Sequence, residues 1–244
     1  MVPPHTTIAV LGDGGWGTTL AIHLHRLGHR VLWWGAFPEY VKVLDRRREN
    51  SKFLPGVRIP HSLQITSSLS QATAPAQLIV LAVPSQYLRS VTRRLKAAPA
   101  LAGQTVLSVA KGLERTTRKR MSQVIREELG RVPLAVLSGP NIASEVARGH
   151  PASSVVASRN PAVASKIQRL FMNERFRLYT SNDPVGVEVA GAVKNVIAIA
   201  AGIADGLGFG DNTRAALLTR GLHEMTRLGV ALGAQSETFA GLAG

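Results

Sequence analysis

Gly12-Asp13-Gly14-Gly15-Trp16-Gly17 spaces its glycines as G-x-G-x-x-G. The run follows the apolar Ile8-Ala9-Val10-Leu11 and leads into Thr18-Thr19-Leu20-Ala21-Ile22-His23-Leu24, a stretch of helical character. Between a strand and a helix, the first glycine permits a sharp turn and the second lets main chain approach a diphosphate. The third lets the helix pack tightly on the sheet. N–H groups of the helix's first turn then face the anion. An ordinary strand-to-helix turn also uses glycine, so the dinucleotide reading rests on the flanking strand and helix. The end of the second candidate strand, Trp33-Trp34-Gly35-Ala36-Phe37, carries neither an acid for a ribose 2′-hydroxyl nor an arginine for a 2′-phosphate. The residues therefore leave NAD and NADP equally open.

Two lysines occupy positions suited to proton transfer. Lys111 follows the strand-like Val106-Leu107-Ser108-Val109, which sets an ammonium group at the carboxyl edge of a parallel sheet, where open α/β sheets bind ligands. Taken alone, a solvated lysine beside a turn is the better reading of this residue. Lys194 lies in Val189-Ala-Gly-Ala-Val-Lys-Asn-Val-Ile-Ala-Ile-Ala-Ala201, apolar or small on nearly every face. A cation there needs a partner or an opening to water. Gly191, Ala198, Ala201 and Asp205 share its helical face and leave room for a ligand, though a lysine snorkelling to the surface fits the pattern too. Two ammonium groups at one pocket would each depress the other's pKa, as proton exchange with a substrate hydroxyl near neutrality requires. Ser138-Gly139-Pro140-Asn141 closes another strand at the same edge and offers main-chain N–H groups and an amide, or simply a tight turn.

Other chemistries find little support. The chain has no cysteine, which removes disulfides and thiol nucleophiles and accords with a reducing cytoplasm. Its seven histidines lack a carboxylate at metalloprotease spacing, so no metal site is expected. Ser138 lacks the flanking glycines of a nucleophile elbow. The formal charge of +14 is spread over short clusters, Arg46-Arg47-Arg48, Arg93-Arg94 and Arg118-Lys119-Arg120, without interleaved aromatics, which reads as solvated helix faces rather than a nucleic-acid surface. No uninterrupted apolar run of about 18 residues appears, and Met1–Thr7 has no signal-peptide character, so a soluble, unexported protein is expected, without membrane insertion.

The elements that must position these residues alternate as βαβ units of a parallel sheet. Candidate strands are Ile8–Leu11, Val31–Trp34, Leu78–Val83, Val106–Val109, Leu134–Leu137, Ser154–Ala157 and Arg177–Tyr179. Candidate helices between them are Trp16–Leu27, Glu39–Glu49, Gln86–Ala97, Arg118–Leu129 and Pro161–Phe171. Beyond Asn182-Asp183-Pro184, a natural helix start, the strand signal stops. Helical segments are then expected over Val185–Ala204, Thr213–Leu232 and, partially, Ser236–Ala243, so residues 1–183 read as an α/β Rossmann-type dinucleotide-binding domain and 184–244 as an all-α domain.

Taken in order, these blocks resemble NAD(P)-dependent glycerol-3-phosphate dehydrogenase. The resemblance is carried by Gly12 to Ala21, Phe53-Leu54-Pro55-Gly56, Val83-Pro84-Ser85, Ala110-Lys111-Gly112-Leu113-Glu114, Ser138-Gly139-Pro140, and Gly191 to Ala198 continuing through Asp205-Gly-Leu-Gly-Phe-Gly210. It implies a cytoplasmic oxidoreductase that interconverts dihydroxyacetone phosphate and sn-glycerol 3-phosphate for phospholipid synthesis. The active site would lie between the two domains. Lys194 would donate and accept the proton, and Lys111 would touch cofactor and substrate. Gly139 and Asn141 would contact substrate, and Gly15, Trp16 and Ala143 the cofactor. Position 141 often carries Ser or Thr in that family; asparagine keeps the hydrogen bonding with a different reach. Where the sequence ends, at Gly241-Leu242-Ala243-Gly244, the family continues into a Gly-Asp turn and an Arg-Asn pair that bind substrate. The resemblance thus implies an incomplete helical domain, in a chain that binds NAD(P)H but reduces dihydroxyacetone phosphate poorly. Apolar faces on its last helices favour association, with a homodimer as the simplest form. The alternatives are a hydroxy-acid or ketopantoate-type dehydrogenase, a cofactor-binding protein without catalysis, and a basic nucleic-acid binder.

Overall fold

A computed structural model describes residues 5–97 and 103–243. The first half runs β1 (Thr7–Leu11), α1 (Gly15–Arg26), β2 (Arg30–Trp34), α2 (Pro38–Arg47), β3 (Glu49–Asn50), β4 (Leu54–Arg58), β5 (Gln64–Thr66), α3 (Leu69–Thr73), β6 (Leu78–Leu81), α4 (Ser85–Lys96) and β7 (Thr105–Ser108). The second half runs α5 (Met121–Leu129), β8 (Leu134–Ser138), α6 (Ala143–Ala147), β9 (Ala152–Ala157), α7 (Pro161–Phe171), β10 (Phe176–Ser181), α8 (Pro184–Gly206) and α9 (Asp211–Ala231).

Eight of these strands form one sheet in the order β10-β9-β8-β7-β6-β1-β2-β5. Its central strands are buried on both faces, as parallel strands covered by helices must be. Alternate side chains divide between two cores: Ile8 and Val10 of β1 point with Leu78 and Val80 of β6 into one, and Ala9 and Leu11 point with Ile79 and Leu81 into the other. From β1 the chain winds outward through β2 to β5, and from β6 it winds the opposite way through β7 to β8. The crevice at the carboxyl ends of β1 and β6 is therefore a topological switch point, where such sheets bind ligands.

The sheet departs from a purely parallel arrangement at β9, which pairs antiparallel with β8 through Val136↔Ala157 and Ser138↔Val155. The chain returns beside β8 through the short α6, without a full crossover. The small β3–β4 hairpin and the three-residue β5 were not expected from the sequence. Two helix bounds also differ. The stretch expected from Arg118 begins as a helix only at Met121, because Arg118 sits at φ 59° in the left-handed region. The segment expected as a partial helix near Ser236–Ala243 contains one 3-10 turn, Ser236–Thr238.

That turn has a packing role. The Asp183 carboxylate caps α8 by accepting from Gly186 N at 2.9 Å, and it also accepts from Gln235 N at 2.9 Å and Thr238 Oγ1 at 2.7 Å. Phe239 presses on α9 so closely that a Cβ at Gly229 would lie 1.9 Å from its ring. Val185, Val187, Val189 and Ala190 of α8 pack with Val136 of β8, Ala157 of β9, Met225 and Phe239 in a third cluster. Glu188 locks α8 to the start of α5, accepting from Arg120 at 2.6 Å and from the main chain and hydroxyl of Ser122 at 2.7 and 2.5 Å. Burial pushes this carboxyl up against the opposing pull of Ser122 and Arg120. Among the described residues, α8 is the one helix long and apolar enough to cross a membrane, but these contacts hold its first half on the sheet.

Candidate active site

The glycine turn has the geometry its spacing predicts. Gly12 adopts φ 127°, open to glycine, and a Cβ there would lie 2.5 Å from the Ala82 carbonyl oxygen. At Gly17 a Cβ would lie 2.1 Å from the Gly12 carbonyl oxygen, so α1 can approach β1 this closely only without a side chain. Gly14, at the N-cap of α1, has no atom within 4 Å of where its Cβ would be, and no side chain caps the helix. The first turn of α1 also lacks acidic residues, leaving its N–H groups and helix dipole available to an anion. The cradle suits a diphosphate, since main chain is exposed where a side chain would stand in the way.

Several residues brace the turn. Trp33 Nε1 donates to Gly12 O at 2.8 Å and Thr18 Oγ1 donates to Gly14 O at 2.8 Å. Asn50 Nδ2 donates to Asp13 O at 2.8 Å and to Thr18 Oγ1 at 2.7 Å, and its Oδ1 accepts from Tyr40 at 2.5 Å. Sequence reasoning missed Asn50, whose only signal lay in a short strand too polar to stand out. Gly15 is where the turn meets its neighbours, a Cβ there lying 2.7 Å from Phe53 O and 3.7 Å from Ala143 Cβ. Ala143 opens α6, and its carbonyl accepts from Thr19 Oγ1 at 3.0 Å. The Trp16 ring turns toward the core and meets Phe176 edge-on at 6.4 Å between centroids.

At the seam between α8 and the carboxyl ends of β7 and β8, the two lysines come together. Lys111 Nζ donates to Gly139 O at 3.1 Å and Lys194 Nζ to Ala243 O at 3.3 Å. Burial holds the Lys111 ammonium below its ordinary range. Burial and, secondarily, the charge of Lys111 push Lys194 down to about 8. Close approach of α8 depends on Gly191, where a Cβ would lie 2.4 Å from Ser138 Oγ and 3.9 Å from Lys111 Cγ. Gly139 is equally confined, a Cβ there lying 2.9 Å from Ser153 O. Asn141 Oδ1 accepts from Ser154 Oγ at 2.6 Å, while its Nδ2, like Ser138 Oγ, is buried without a hydrogen-bond partner among the described residues. Ser154, which fixes the Asn141 amide, was not singled out in the sequence.

The loop carrying Lys111 is tied to α4. Arg89 binds Glu114 through two nitrogens at 2.7 Å and also reaches Glu127 and Glu128 at 2.9 and 2.6 Å. The Arg89 guanidinium, aided by Thr117, holds the Glu114 carboxyl at about 2. Gln86 bonds Leu113 O at 2.9 Å and Arg115 N at 3.1 Å from the same helix. The carboxyl edge of the sheet thus carries an anion cradle and two cations of lowered pKa, parts needed to bind a dinucleotide and move a proton at an adjacent carbon.

The family model for the NAD-dependent glycerol-3-phosphate dehydrogenase N-terminus matches residues 7–164, and that for the C-terminus matches residues 183–244. The glycerol-3-phosphate dehydrogenase [NAD(P)+] of Moorella thermoacetica is 52% identical over 239 residues, 98% of this chain and 70% of that protein. The enzyme of the same name from Chlorobium limicola is 48% identical over 240 residues, 97% of this chain and 72% of the relative. Among solved structures, glycerol-3-phosphate dehydrogenase from Coxiella burnetii superposes with a TM-score of 0.93 at 39% identity, over 99% of this chain and 74% of that one. With both halves matched in order and the Rossmann-type crevice in place, this chain belongs to the NAD-dependent glycerol-3-phosphate dehydrogenase family.

Proposed function

We propose that this chain transfers hydride between NAD(P)H and dihydroxyacetone phosphate to give sn-glycerol 3-phosphate for phospholipid synthesis, with Lys194 as the proton donor and acceptor. The observation that carries the assignment is the action of the Lys111 charge, with burial, on the Lys194 pKa where α8 comes down on the sheet at Gly191. A bound nicotinamide supplies or accepts the hydride. Gly12, Gly14 and Gly17 shape the diphosphate cradle, and Gly15 and Trp16 offer main-chain N–H groups from the first turn of α1. Ala143 borders the cradle from α6.

In the reductive direction Lys194 Nζ gives its proton to the carbonyl oxygen as negative charge develops there. In the oxidative direction the neutral amine takes the hydroxyl proton. A pKa of about 8 keeps both forms populated near neutrality. Lys111 places a second positive charge against the phosphorylated substrate, and Gly139 and Asn141 fix the substrate's orientation. We place the domain boundary at Asp183/Pro184, where the Asp183 carboxylate caps α8. The exposed Val196, Ile199 and Ile203 of α8, Leu207 just past its end, and Leu218 and Leu222 of α9 favour association into a homodimer, measurable by sedimentation. Use of this substrate pair fits a cytoplasmic location, as does the absence of cysteine.

The assignment is tested by following reduced-nicotinamide absorbance with dihydroxyacetone phosphate, 2-keto acids and ketopantoate as competing substrates. The expected outcome is a kcat/KM at least about 100-fold higher for dihydroxyacetone phosphate, because a site built for a polar group strongly rejects analogues that lack it. Preference for a keto acid would overturn the substrate while leaving the cofactor site standing.

A further inference from the structure

The second strand ends in Trp34-Gly35-Ala36-Phe37, without the acid that commonly holds the adenosine ribose in a Rossmann-type domain. The structure shows a carboxylate at that place by another route. Asp13, inside the glycine turn, directs its side chain to the end of β2, and a Cβ at Gly35 would lie 2.8 Å from Asp13 Oδ2 and 3.4 Å from Asp13 Cγ. The usual arrangement is thereby exchanged: the turn carries the acid and the strand end carries the glycine that makes room for it. Any side chain at Gly35 would also meet Val41 Cγ2 at 2.6 Å.

Three further observations bear on what this carboxylate does. Asp13 Oδ2 is buried without a hydrogen-bond partner among the described residues, so an acceptor is left unsatisfied beside the diphosphate cradle. Burial raises the Asp13 pKa, against the lowering effects of its own main-chain N–H and of Lys52. A hydroxyl donor at the carboxylate would relieve that desolvation. The neighbouring polar groups are already engaged or distant, Asn50 bonding Asp13 O and Thr18, Tyr40 bonding Asn50, and Lys52 lying exposed with its ammonium 5.0 Å from the Phe53 ring centroid.

We infer that Asp13 is the residue that recognises the adenosine ribose diol of the cofactor, and that it selects NAD over NADP. The inference rests on the cofactor site proposed above. The terminal torsion of an aspartate is broad, so a modest rotation offers either oxygen to a 2′-hydroxyl. A 2′-phosphate would instead bring negative charge against a partly buried carboxylate, with the solvated Lys52 the one cation among the described residues that acts on it.

The test is titration of the purified protein with NADH and NADPH, read by nicotinamide fluorescence, in wild type and in Asp13→Asn and Asp13→Ala variants. Wild type is expected to bind NADH at least about 10-fold more tightly than NADPH. Loss of the charge-assisted hydrogen bond should weaken NADH binding by about 10- to 100-fold and bring the two affinities together. A general disturbance of the turn would weaken both nucleotides equally and leave their ratio unchanged, which overturns the inference. Competition of ADP-ribose against its 2′-phosphate on wild type repeats the test without a substitution, and equal displacement overturns it too. Failure of wild type to bind either nucleotide would instead remove the cofactor site, and this inference with it.

Discussion

Replacing Gly14 with alanine puts a methyl group where nothing lies within 4 Å, at φ −73° and ψ 174°, a conformation that alanine adopts freely. The fold should therefore tolerate it, at a cost below about 1 kcal/mol for the altered N-cap, or a melting shift within about 4 °C for a chain of this size. The methyl nevertheless occupies the space through which a diphosphate would reach the first turn of α1, so Kd for NADH should rise at least about tenfold, or ~1.4 kcal/mol. Gly17→Ala is the contrasting perturbation. Its Cβ would lie 2.1 Å from Gly12 O and 3.3 Å from Ala82 Cβ. The nearer contact is main chain and cannot rotate away, so α1 must retreat from β1 by roughly 1 Å at an overpacking cost of about 1–3 kcal/mol. That corresponds to a melting temperature lower by about 2 to 12 °C, together with a weakened cradle. Thermal unfolding and fluorescence titration of the two variants side by side separate the roles. Gly14→Ala binding NADH as wild type does, or Gly17→Ala melting where wild type does, would refute this account of the turn.

Asn141→Ala should raise KM for dihydroxyacetone phosphate about tenfold or more while leaving the NADH Kd unchanged, because it removes a buried amide donor that Ser154 orients; steady-state kinetics and titration together check this. Arg89→Met should lower stability at neutral pH, by urea denaturation, and the deficit should shrink in acid. Glu114 is depressed to about 2 from an ordinary 4.5, so the stability it contributes is complete above 4.5 and lost as pH falls toward 2. A deficit that stays constant across that window would place the effect of Arg89 elsewhere.

The sequence made the phosphate turn legible because its glycines are demanded by local geometry: Gly12 by a positive φ, and Gly17 by contact with the chain only five residues before it. Asp183 before Pro184 was legible as a helix start for a similarly local reason. The direction of β9 was not, since an apolar strand such as Ser-Val-Val-Ala reads the same whether it pairs parallel or antiparallel. Ser236–Ala243 has helix-compatible residues, yet the segment is spent on reaching Asp183 and burying Phe239, contacts that no local pattern announces. The lysines were visible individually, whereas their meeting is a tertiary fact, set by Gly191 letting α8 down onto Ser138. Asp13 was visible only as a variable position in the glycine motif; its role emerges from Gly35, distant in sequence and adjacent in space.

The most direct measurement is the pH dependence of kcat/KM for glycerol 3-phosphate oxidation, which follows the free protein's groups, in wild type and Lys194→Ala. With Lys194 at about 8, roughly a tenth of the amine is neutral at pH 7, so the wild-type rate should climb with unit slope and level near pH 8. The variant should lose that limb and about 10²- to 10⁴-fold in rate. A variant that keeps the same limb at the same pH would show that the proton travels through another group.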